Sequence, residues 1–396
     1  MKRAASASVL RNINRSAVLD LFRYKDSISV TEIARRLNMS VPTAKRIVEE
    51  LMTRDLVRSV GITHAAHVGR PSSFYEFNGS SHAVVAVDIN GSEIRGALIN
   101  LAGEIQGEVM TNRIPDDRST NLDWIDDTIA GLLSIPKSLD QEILGIGVGI
   151  PGITLPDQGL VSWAPSLAWR DLPIKSLLNE KFGLPVYIEN DANLAALGEL
   201  GFGAGRELKD LVCITARTGI GAGIVIDGLL YSGHNQAAGE IGYLPPGIEW
   251  LGKSYSKYGA LENVASGYSI VTRAKKALKE AGIQKDEDHL VARDVFTFAR
   301  NGEDWAVRIV AETVEYLALT VAIIACLLNP EIIIFSGGIF NAEDLLIGPI
   351  RSRIEGVIPY LPRIEVSPLG NRGVLLGSVV LVFNQIMEYS TLRPFS

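Results

Sequence analysis

A short apolar strand in the middle of the chain leads into a cluster of polar residues. Val186-Tyr187-Ile188 precedes Glu189-Asn190-Asp191-Ala192-Asn193, and the spacing predicts a helix over residues 194–200. In open α/β sheets, ligands bind at the carboxyl ends of the strands. A carboxylate such as Asp191 in that position either acts as a general base toward a hydroxyl group or caps the helix that follows. The residues alone leave both roles open.

Two glutamates further along the chain have a setting that suits hydroxyl binding. Glu240 lies within Ala238-Gly239-Glu240-Ile241-Gly242, and Glu262 follows Leu261, so each stands beside small or apolar neighbours. A carboxylate accepts hydrogen bonds from hydroxyl groups, as a polyhydroxylated ligand would require. Ordinary surface glutamates have similar neighbours, and spacing alone favours that interpretation.

Two glycine-containing turns, far apart in the chain, each lie between two apolar strands. Ile89-Asn90-Gly91-Ser92 follows a predicted strand at residues 83–88, and Arg217-Thr218-Gly219-Ile220-Gly221 follows one at residues 211–215. Such turns can present backbone N–H groups to a phosphate, although most are plain hairpin connections. Their recurrence indicates a duplicated α/β unit.

The first 80 residues have the pattern of a helix-turn-helix domain. Helices are predicted at residues 14–23, at residues 32–37 after the cap Thr31, and from the cap Ser40 to about Thr53. Two helices joined by a three-residue turn, the second with polar and basic residues outward, match the geometry of DNA-reading modules.

Four side chains of this segment are candidates for DNA contact. Thr43, Lys45 and Arg46 point outward near the start of the third helix, and Arg70 lies between two predicted strands that form a wing. Lysine and arginine bind phosphates or base edges. A three-helix bundle that makes no DNA contact is the alternative.

Charge divides the chain into a basic head and an acidic body. Residues 1–80 carry a balance of +6, whereas the remainder carries −13, for a net charge of −7 over 396 residues. A nucleic-acid module joined to a ligand module has this asymmetry. Two cysteines are too few for a disulfide framework, which favours a cytoplasmic protein. The longest apolar run, residues 316–328, is predicted to be a buried helix too short to cross a membrane.

Seven blocks of the body, in order, resemble the ROK family (repressor, open reading frame, kinase), and the wing segments Leu56-Val57-Arg58 and Gly69-Arg70-Pro71 are similar to those of its regulator branch. The blocks are residues 87–92, 147–152, 189–193, 218–221, 238–242, 259–262 and 329–338. The resemblance implies an α/β fold, namely an actin-like, sugar-kinase-type body of two lobes preceded by an all-α domain with a wing. It also implies that the last helix, near residues 374–387, returns to the first lobe.

The resemblance assigns roles to residues of the matched blocks. In family enzymes, the counterpart of Asp191 takes a proton from a sugar hydroxyl group during phosphoryl transfer. The implied sugar-binding residues are Asn190, Asp191, Glu240, Tyr243 and Glu262. The implied nucleotide and phosphate-loop residues are Asp88, Gly91, Ser92, Thr218, Gly219, Gly221, Gly337 and Gly338.

The phosphate turns depart from the family pattern in three positions. Asn90 and Arg217 stand where the kinases have glycine, and Ser92 stands where they have threonine. Glycine permits close approach of the backbone to a phosphate, and a side chain obstructs it. Arg217 could instead bind an anion. These departures make ATP with Mg²⁺ an expected cofactor for the kinase alternative alone.

The family's zinc block is absent. Tyr243 stands at its histidine position, and Lys253, Tyr255 and Ala260 stand at its three cysteine positions. Without thiolate or imidazole ligands no tetrahedral zinc site can form there, so no structural metal is expected. The histidine counterpart also touches the sugar in family members, so Tyr243 argues against the usual glucose-like preference.

The sequence therefore predicts a cytoplasmic, sugar-responsive DNA-binding transcription regulator of the repressor type. Its expected domains are a winged helix-turn-helix at residues 1–80, a first lobe at 81–195 completed by 374–396, and a second lobe at 196–373. The expected partners are operator DNA, a carbohydrate effector and further copies of the chain in a homodimer or a dimer of dimers. No membrane partner is expected. The alternatives are an ATP-dependent sugar kinase with a regulatory head and a DNA-bound scaffold that binds no ligand.

Overall fold

The head is a small helical domain with a three-stranded sheet. The computed structural model describes residues 7–23, 27–63, 72–91, 93–112, 122–136, 141–255, 258–283 and 289–387. The elements of the head are α1 (Ala7–Arg23), β1 (Ile28–Ser29), α2 (Val30–Arg36), α3 (Val41–Thr53), β2 (Val57–Thr63) and β3 (Ser72–Phe77). Strand β3 pairs antiparallel with both β1 and β2, which forms the predicted wing. Arg70 and the connection around it lie outside the described residues.

The cap of α3 is confirmed, and the cap of α2 was assigned to the wrong residue. The Ser40 hydroxyl accepts from the Thr43 N–H, and α3 buries Ala44, Ile47, Val48 and Leu51, which are the four residues that its spacing predicts. Helix α2 begins at Val30 because the Ser29 hydroxyl, rather than Thr31, accepts from the N–H of its first turn.

The first half of the body is built on a five-stranded sheet ordered β11-β7-β4-β5-β6. Its elements are β4 (His82–Asn90), β5 (Glu93–Asn100), β6 (Ile105–Asn112), α4 (Asp123–Leu133), β7 (Glu142–Ile150), β8 (Ile153–Leu155), β9 (Leu160–Ala164), β10 (Trp169–Leu172), α5 (Ile174–Phe182), β11 (Val186–Asn190) and α6 (Asp191–Phe202). Strands β4, β7 and β11 are parallel, so their carboxyl ends meet at one edge of the sheet. Strands β8, β9 and β10 form a separate small sheet.

A second five-stranded sheet, ordered β14-β13-β12-β15-β16, repeats this plan. Its elements, with the helices that follow, are β12 (Leu211–Ala216), β13 (Ile220–Ile226), β14 (Leu229–Leu230), α7 (Glu262–Ala265), α8 (Gly267–Glu280), α9 (Ala292–Arg300), α10 (Asp304–Leu328), β15 (Ile332–Ser336), α11 (Glu343–Ile354), β16 (Arg363–Val366) and α12 (Gly373–Ile386). Each sheet has an antiparallel hairpin, β4–β5 or β12–β13, whose first strand pairs with a parallel neighbour. The predicted duplication of an α/β unit is therefore present in the topology.

Helix α10 is longer than the apolar run in the sequence predicts. It has 25 residues, and by length and composition it is the one helix of the described chain that could cross a membrane. Its length is therefore no argument against a membrane, contrary to the prediction. Trp305, Ile309, Leu317 and Val321 are buried in the core of the second sheet, which is the packing of a core helix.

Helices α6 and α12 pack against each other between the two sheets. The boundary predicted after residue 195 falls inside α6, which continues to Phe202. Glycines allow the two helices to touch backbone to backbone, because a Cβ at Gly377 would collide with the Leu194 carbonyl and one at Gly198 with the Gly373 carbonyl.

The segment between head and body is a tight turn rather than the linker that its composition suggests. The Asn78 side chain donates to Asp55 (3.0 Å), and Gln141 donates to the Ser80 carbonyl (3.0 Å). Apolar residues of α1 and α3 share one core with β4 and α12, including Phe22, Val84 and Phe383. The head is thus packed directly onto the body.

Candidate functional site

Asn190 and Asp191 stand where β11 ends and α6 begins. The Asn190 side-chain oxygen accepts from the N–H groups of Ala192 (2.9 Å) and Asn193 (3.1 Å), and its amide donates to the Gly152 carbonyl (2.9 Å). Asn190 is therefore the helix cap. Asp191 is therefore not the helix cap. One of its carboxylate oxygens accepts a hydrogen bond from the Ala192 N–H (3.0 Å).

Three carboxylates come together at this edge of the body. Burial raises the pKa of Asp191 to about 6, an effect that the charge of Arg217 opposes and that of Asp88 increases. Burial and the neighbouring Asp191 and Glu262 raise the pKa of Glu240 to about 7. A carboxyl group that is partly protonated near neutral pH can donate a hydrogen bond to a hydroxyl group in its protonated form and accept one in its ionised form.

Glu262 joins two loops of the second half of the body. One of its oxygens accepts from the Ile220 N–H (2.9 Å) and the other from the Gly259 N–H (2.7 Å). A Cβ at Gly219 would collide with the same carboxylate, so the glycine is needed for this approach. Glu262 thus fixes the second glycine turn to the segment that replaces the zinc block.

Tyr243 lies against an aromatic residue that sequence reasoning did not single out. The rings of Tyr243 and Trp163 have centroids 6.3 Å apart, and Trp163 belongs to β9, opposite Ile153 of β8. Burial, together with Glu262 and Glu240, raises the pKa of Tyr243 to about 12. The sequence signal for Trp163 was its position after the Gly147–Gly152 block, which precedes the sugar loop in the resemblance.

Asp88 and Arg217 form an ion pair between the two sheets. Asp88 is on β4, and Arg217 directly follows β12 in the other sheet. One guanidinium nitrogen donates to both carboxylate oxygens, at 2.9 and 3.1 Å. The Asp88 side chain is 2% exposed and that of Arg217 is 18% exposed. Of the two possibilities that the sequence left for Arg217, anion binding is realised, and the anion is the chain's own carboxylate.

A cavity of about 360 Å³ adjoins this pair. Its lining includes Asp88, Asn90, Arg217, Thr218 and Gly338. The structure therefore brings together residues of both glycine turns with the glycine pair after β15. Gly337 has φ +108°, and a Cβ there would meet the Ala216 carbonyl, so this position requires glycine. Gly91 lies in the first turn, whereas Gly221 belongs to β13, where it pairs with Thr215 of β12. Ser92 falls outside the described residues.

Aromatic packing is present in the segment where zinc was not expected. Trp250 and Tyr255 stack with centroids 6.2 Å apart, and the Lys253 ammonium lies 5.1 Å from the centre of the Trp250 ring. Ala260 is buried. The apolar content of this segment predicts packing of Leu251 as well, but that side chain is 62% exposed. In the parts of the chain that the structure describes, no three His, Cys, Asp or Glu side chains could hold a metal ion.

The DNA-contact candidates of α3 present an exposed edge. Lys45 and Arg46 are exposed, and Lys45 lies 3.6 Å from Glu49 on the same helix. The Thr43 hydroxyl is hydrogen-bonded to that of Ser40 (2.8 Å), which commits it partly to the helix start. Lys45 and Arg46 are thus better placed for contact than Thr43.

These features define a class: a two-sheet α/β body that carries a winged helix-turn-helix head. The chain belongs to the ROK family, whose pattern matches residues 84–384. Residues 16–61 match the IclR helix-turn-helix domain. The predicted family and fold class are confirmed.

Three similar proteins illustrate how the match is distributed. The chain is 29% identical to a xylose repressor of Caldicellulosiruptor bescii, over 96% of this chain and 98% of that protein. It is 36% identical to a glucokinase of Halalkalibacterium halodurans, over 76% of this chain and 95% of the enzyme. A solved ROK family transcriptional regulator, a homologue of the E. coli MLC protein, has the same fold with a TM-score of 0.80, 23% identity and coverage of 96% and 98%.

Proposed function

We propose that the protein is a sugar-responsive transcription regulator. Its head binds operator DNA, and its body binds a carbohydrate without transferring phosphate to it. Arg46 and Lys45 contact the DNA, and Thr43 and Arg70 are further candidates for contact. The carbohydrate is bound by Asn190, Asp191, Glu240, Tyr243 and Glu262.

The observation that carries this proposal is the Asp88–Arg217 ion pair. A kinase body of this fold requires ATP with Mg²⁺, and the Asp88 carboxylate would have to face that metal or the phosphates. Here Arg217 occupies both oxygens of Asp88 from across the cleft. The guanidinium already neutralises the charge of this carboxylate and lies where a metal ion would have to approach it, so the residues present do not fit the nucleotide complex.

The distribution of the matches supports the regulator. The xylose repressor is similar along the head as well as the body, whereas the glucokinase is similar over 76% of the chain. The head has the exposed basic edge that a DNA-reading helix requires. D-xylose is therefore the first candidate for the carbohydrate, and D-glucose the second.

The competing function is an ATP-dependent sugar kinase with a regulatory head. Asp191 favours it, since a carboxylate whose pKa is about 6 suits a general base near neutral pH. The 36% identity to a glucokinase favours it as well.

The assembly completes the proposal. We infer a cytoplasmic homodimer or dimer of dimers, because helix-turn-helix dimers match half-sites about 34 Å apart or multiples of this distance. A coupling of about 1–3 kcal/mol between sugar and DNA sites is enough for a useful switch.

A melting-temperature screen of mono- and disaccharides, with and without MgATP, tests the function. A sugar at about 100 times its Kd stabilises the folded chain by about 2.7 kcal/mol. We expect D-xylose or D-glucose to raise the melting temperature, with no further effect of MgATP and no ADP formed. Sugar-dependent ADP formation that Asp191→Asn abolishes would establish the kinase instead.

A further inference from the structure

Arg15 of the head joins three helices at the junction of head and body. One guanidinium nitrogen donates to the Met387 carbonyl, directly after α12, at 2.6 Å, and the other donates to Glu50 of α3 at 3.1 Å. The Arg15 side chain is 9% exposed. A planar guanidinium that bridges two acceptors fixes their relative orientation more strictly than a single charge does.

The same junction contains an aromatic contact and a charged glutamate. Phe77 of β3 meets Phe383 of α12 edge to face, with ring centroids 6.3 Å apart and planes at 88°. Burial favours the neutral form of Glu50, but the hydrogen bonds and charges of Arg15 and Arg11 outweigh it and lower the pKa. Glu50 is therefore a charged anchor on the DNA-reading helix.

At its other end, α12 is in contact with the candidate sugar site through α6. Asn190 and Asp191 form the start of α6, and the glycine contacts at Gly198 and Gly377 hold α6 and α12 backbone to backbone. Close backbone packing leaves little freedom for one helix to move without the other. We therefore expect a shift at the start of α6 to move α12, which ends directly before Met387.

We propose that Arg15 is the positioning residue that couples sugar occupancy to the orientation of α3. The proposal rests on the proposed function, since it requires a sugar at Asn190 and Asp191. A movement of α6 and α12 displaces the Met387 carbonyl, Arg15 follows it, and Glu50 carries α3 and its DNA-contact edge along.

Arg11 supplies a matched control for this role. It also donates to Glu50, at 3.3 Å, but its side chain is 55% exposed and its hydrogen bond in the described part of the chain goes to Glu50 alone. Arg11→Gln therefore removes a charge from Glu50 without touching the bond to α12.

The experiment measures operator affinity of the full chain by fluorescence anisotropy. The DNA is a duplex that the wild type selects from a random-sequence pool, and the probes are D-xylose and D-glucose. Sugar binding is measured separately by calorimetry. Arg15→Gln, Arg15→Lys and Arg11→Gln are compared with the wild type.

We expect sugar to change wild-type DNA affinity by about 5- to 150-fold. In Arg15→Gln this ratio falls below twofold while the sugar Kd stays within twofold of wild type, a split that general loss of structure would not produce. Arg11→Gln keeps the wild-type ratio. Arg15→Lys retains the charge and replaces Arg15→Gln in the test if that variant does not fold. We expect the ratio of its DNA affinities with and without sugar to be at least threefold smaller than that of the wild type.

Two results would overturn the coupling role. If sugar changes the DNA affinity of the wild type, Arg15→Gln and Arg15→Lys by the same factor, the coupling role is wrong and the proposed function stands. A wild type whose DNA affinity is the same with and without either sugar overturns the proposed function and the coupling role together.

Discussion

Removing the guanidinium of Arg217 should destabilise the body strongly, because Asp88 is left as a buried charge. Breaking a buried ion pair by deleting one partner costs about 3–5 kcal/mol. Asp88 is 2% exposed, but Arg217 retains 18% exposure, so water reaches the site once the arginine is shortened. We therefore expect Arg217→Met to lose about 3 kcal/mol of unfolding free energy, at the lower end of that range.

A second substitution should recover most of this loss. In Asp88→Asn/Arg217→Met the pair no longer leaves an unpaired charge at position 88, so we expect about 2 kcal/mol of the loss to be restored. Arg95→Met is the matched control in the same cavity, because Arg95 pairs with Glu93 (3.0 Å) at the partly exposed rim. A pair exposed in this way contributes about 0–1 kcal/mol.

Urea denaturation followed by circular dichroism measures all four chains. We expect the unfolding free energy to fall strongly in Arg217→Met, slightly in Arg95→Met and by an intermediate amount in the double variant. This expectation is refuted if Arg217→Met loses less than about 1 kcal/mol, or if the double variant is as unstable as Arg217→Met alone.

The remaining predictions concern DNA, pH and metal. Lys45→Ala and Arg46→Ala should each weaken operator binding and reduce its salt slope by about one unit, and unchanged affinity across a salt series would place recognition elsewhere. Because folding raises the pKa of Asp191 to about 6 and of Glu240 to about 7, both favour the protonated folded state, so wild-type stability should fall as the pH rises from about 4 to 7. Melting temperatures of Asp191→Asn/Glu240→Gln should vary less over this range, and an equal slope would contradict the assignment. Chelation should leave the melting temperature and DNA binding unchanged, whereas stoichiometric zinc by elemental analysis would contradict the absence of a structural metal.

Local patterns predicted the head and the strands of the body well. The four buried residues of α3 follow from helical spacing, and the apolar pattern after the first glycine turn predicts a strand over residues 93–100, which are the bounds of β5. The start of α2 was harder, because Ser29 and Thr31 are both good caps and tertiary context selects one. The apolar run of α10 looked short because Glu312 and Glu315 interrupt it, although both lie on the exposed face of one continuous helix.

Long-range contacts were beyond reach of local patterns. The sequence shows that Arg217 replaces a glycine of the family pattern. Its partner Asp88 is 129 residues away, and only the fold brings the two sheets together. The polar turn after β3 looked like a linker because the apolar surface that covers the head belongs to α12, near the other end of the chain. Trp163 was missed for the same reason, since its aromatic partner Tyr243 is far away in the sequence and only the fold brings the two rings together.

In the proposed function, the body binds a sugar without a nucleotide, and this binding changes the affinity of the head for DNA. The most direct test is the anisotropy of the selected duplex, titrated with the full chain in four conditions: no addition, D-xylose or D-glucose, MgATP, and sugar with MgATP. We expect one sugar to change the DNA affinity at least fivefold. MgATP alone should leave the DNA affinity unchanged, and it should not alter the effect of the sugar. A DNA affinity that responds to sugar only when MgATP is present, or to MgATP alone, would contradict the proposed function.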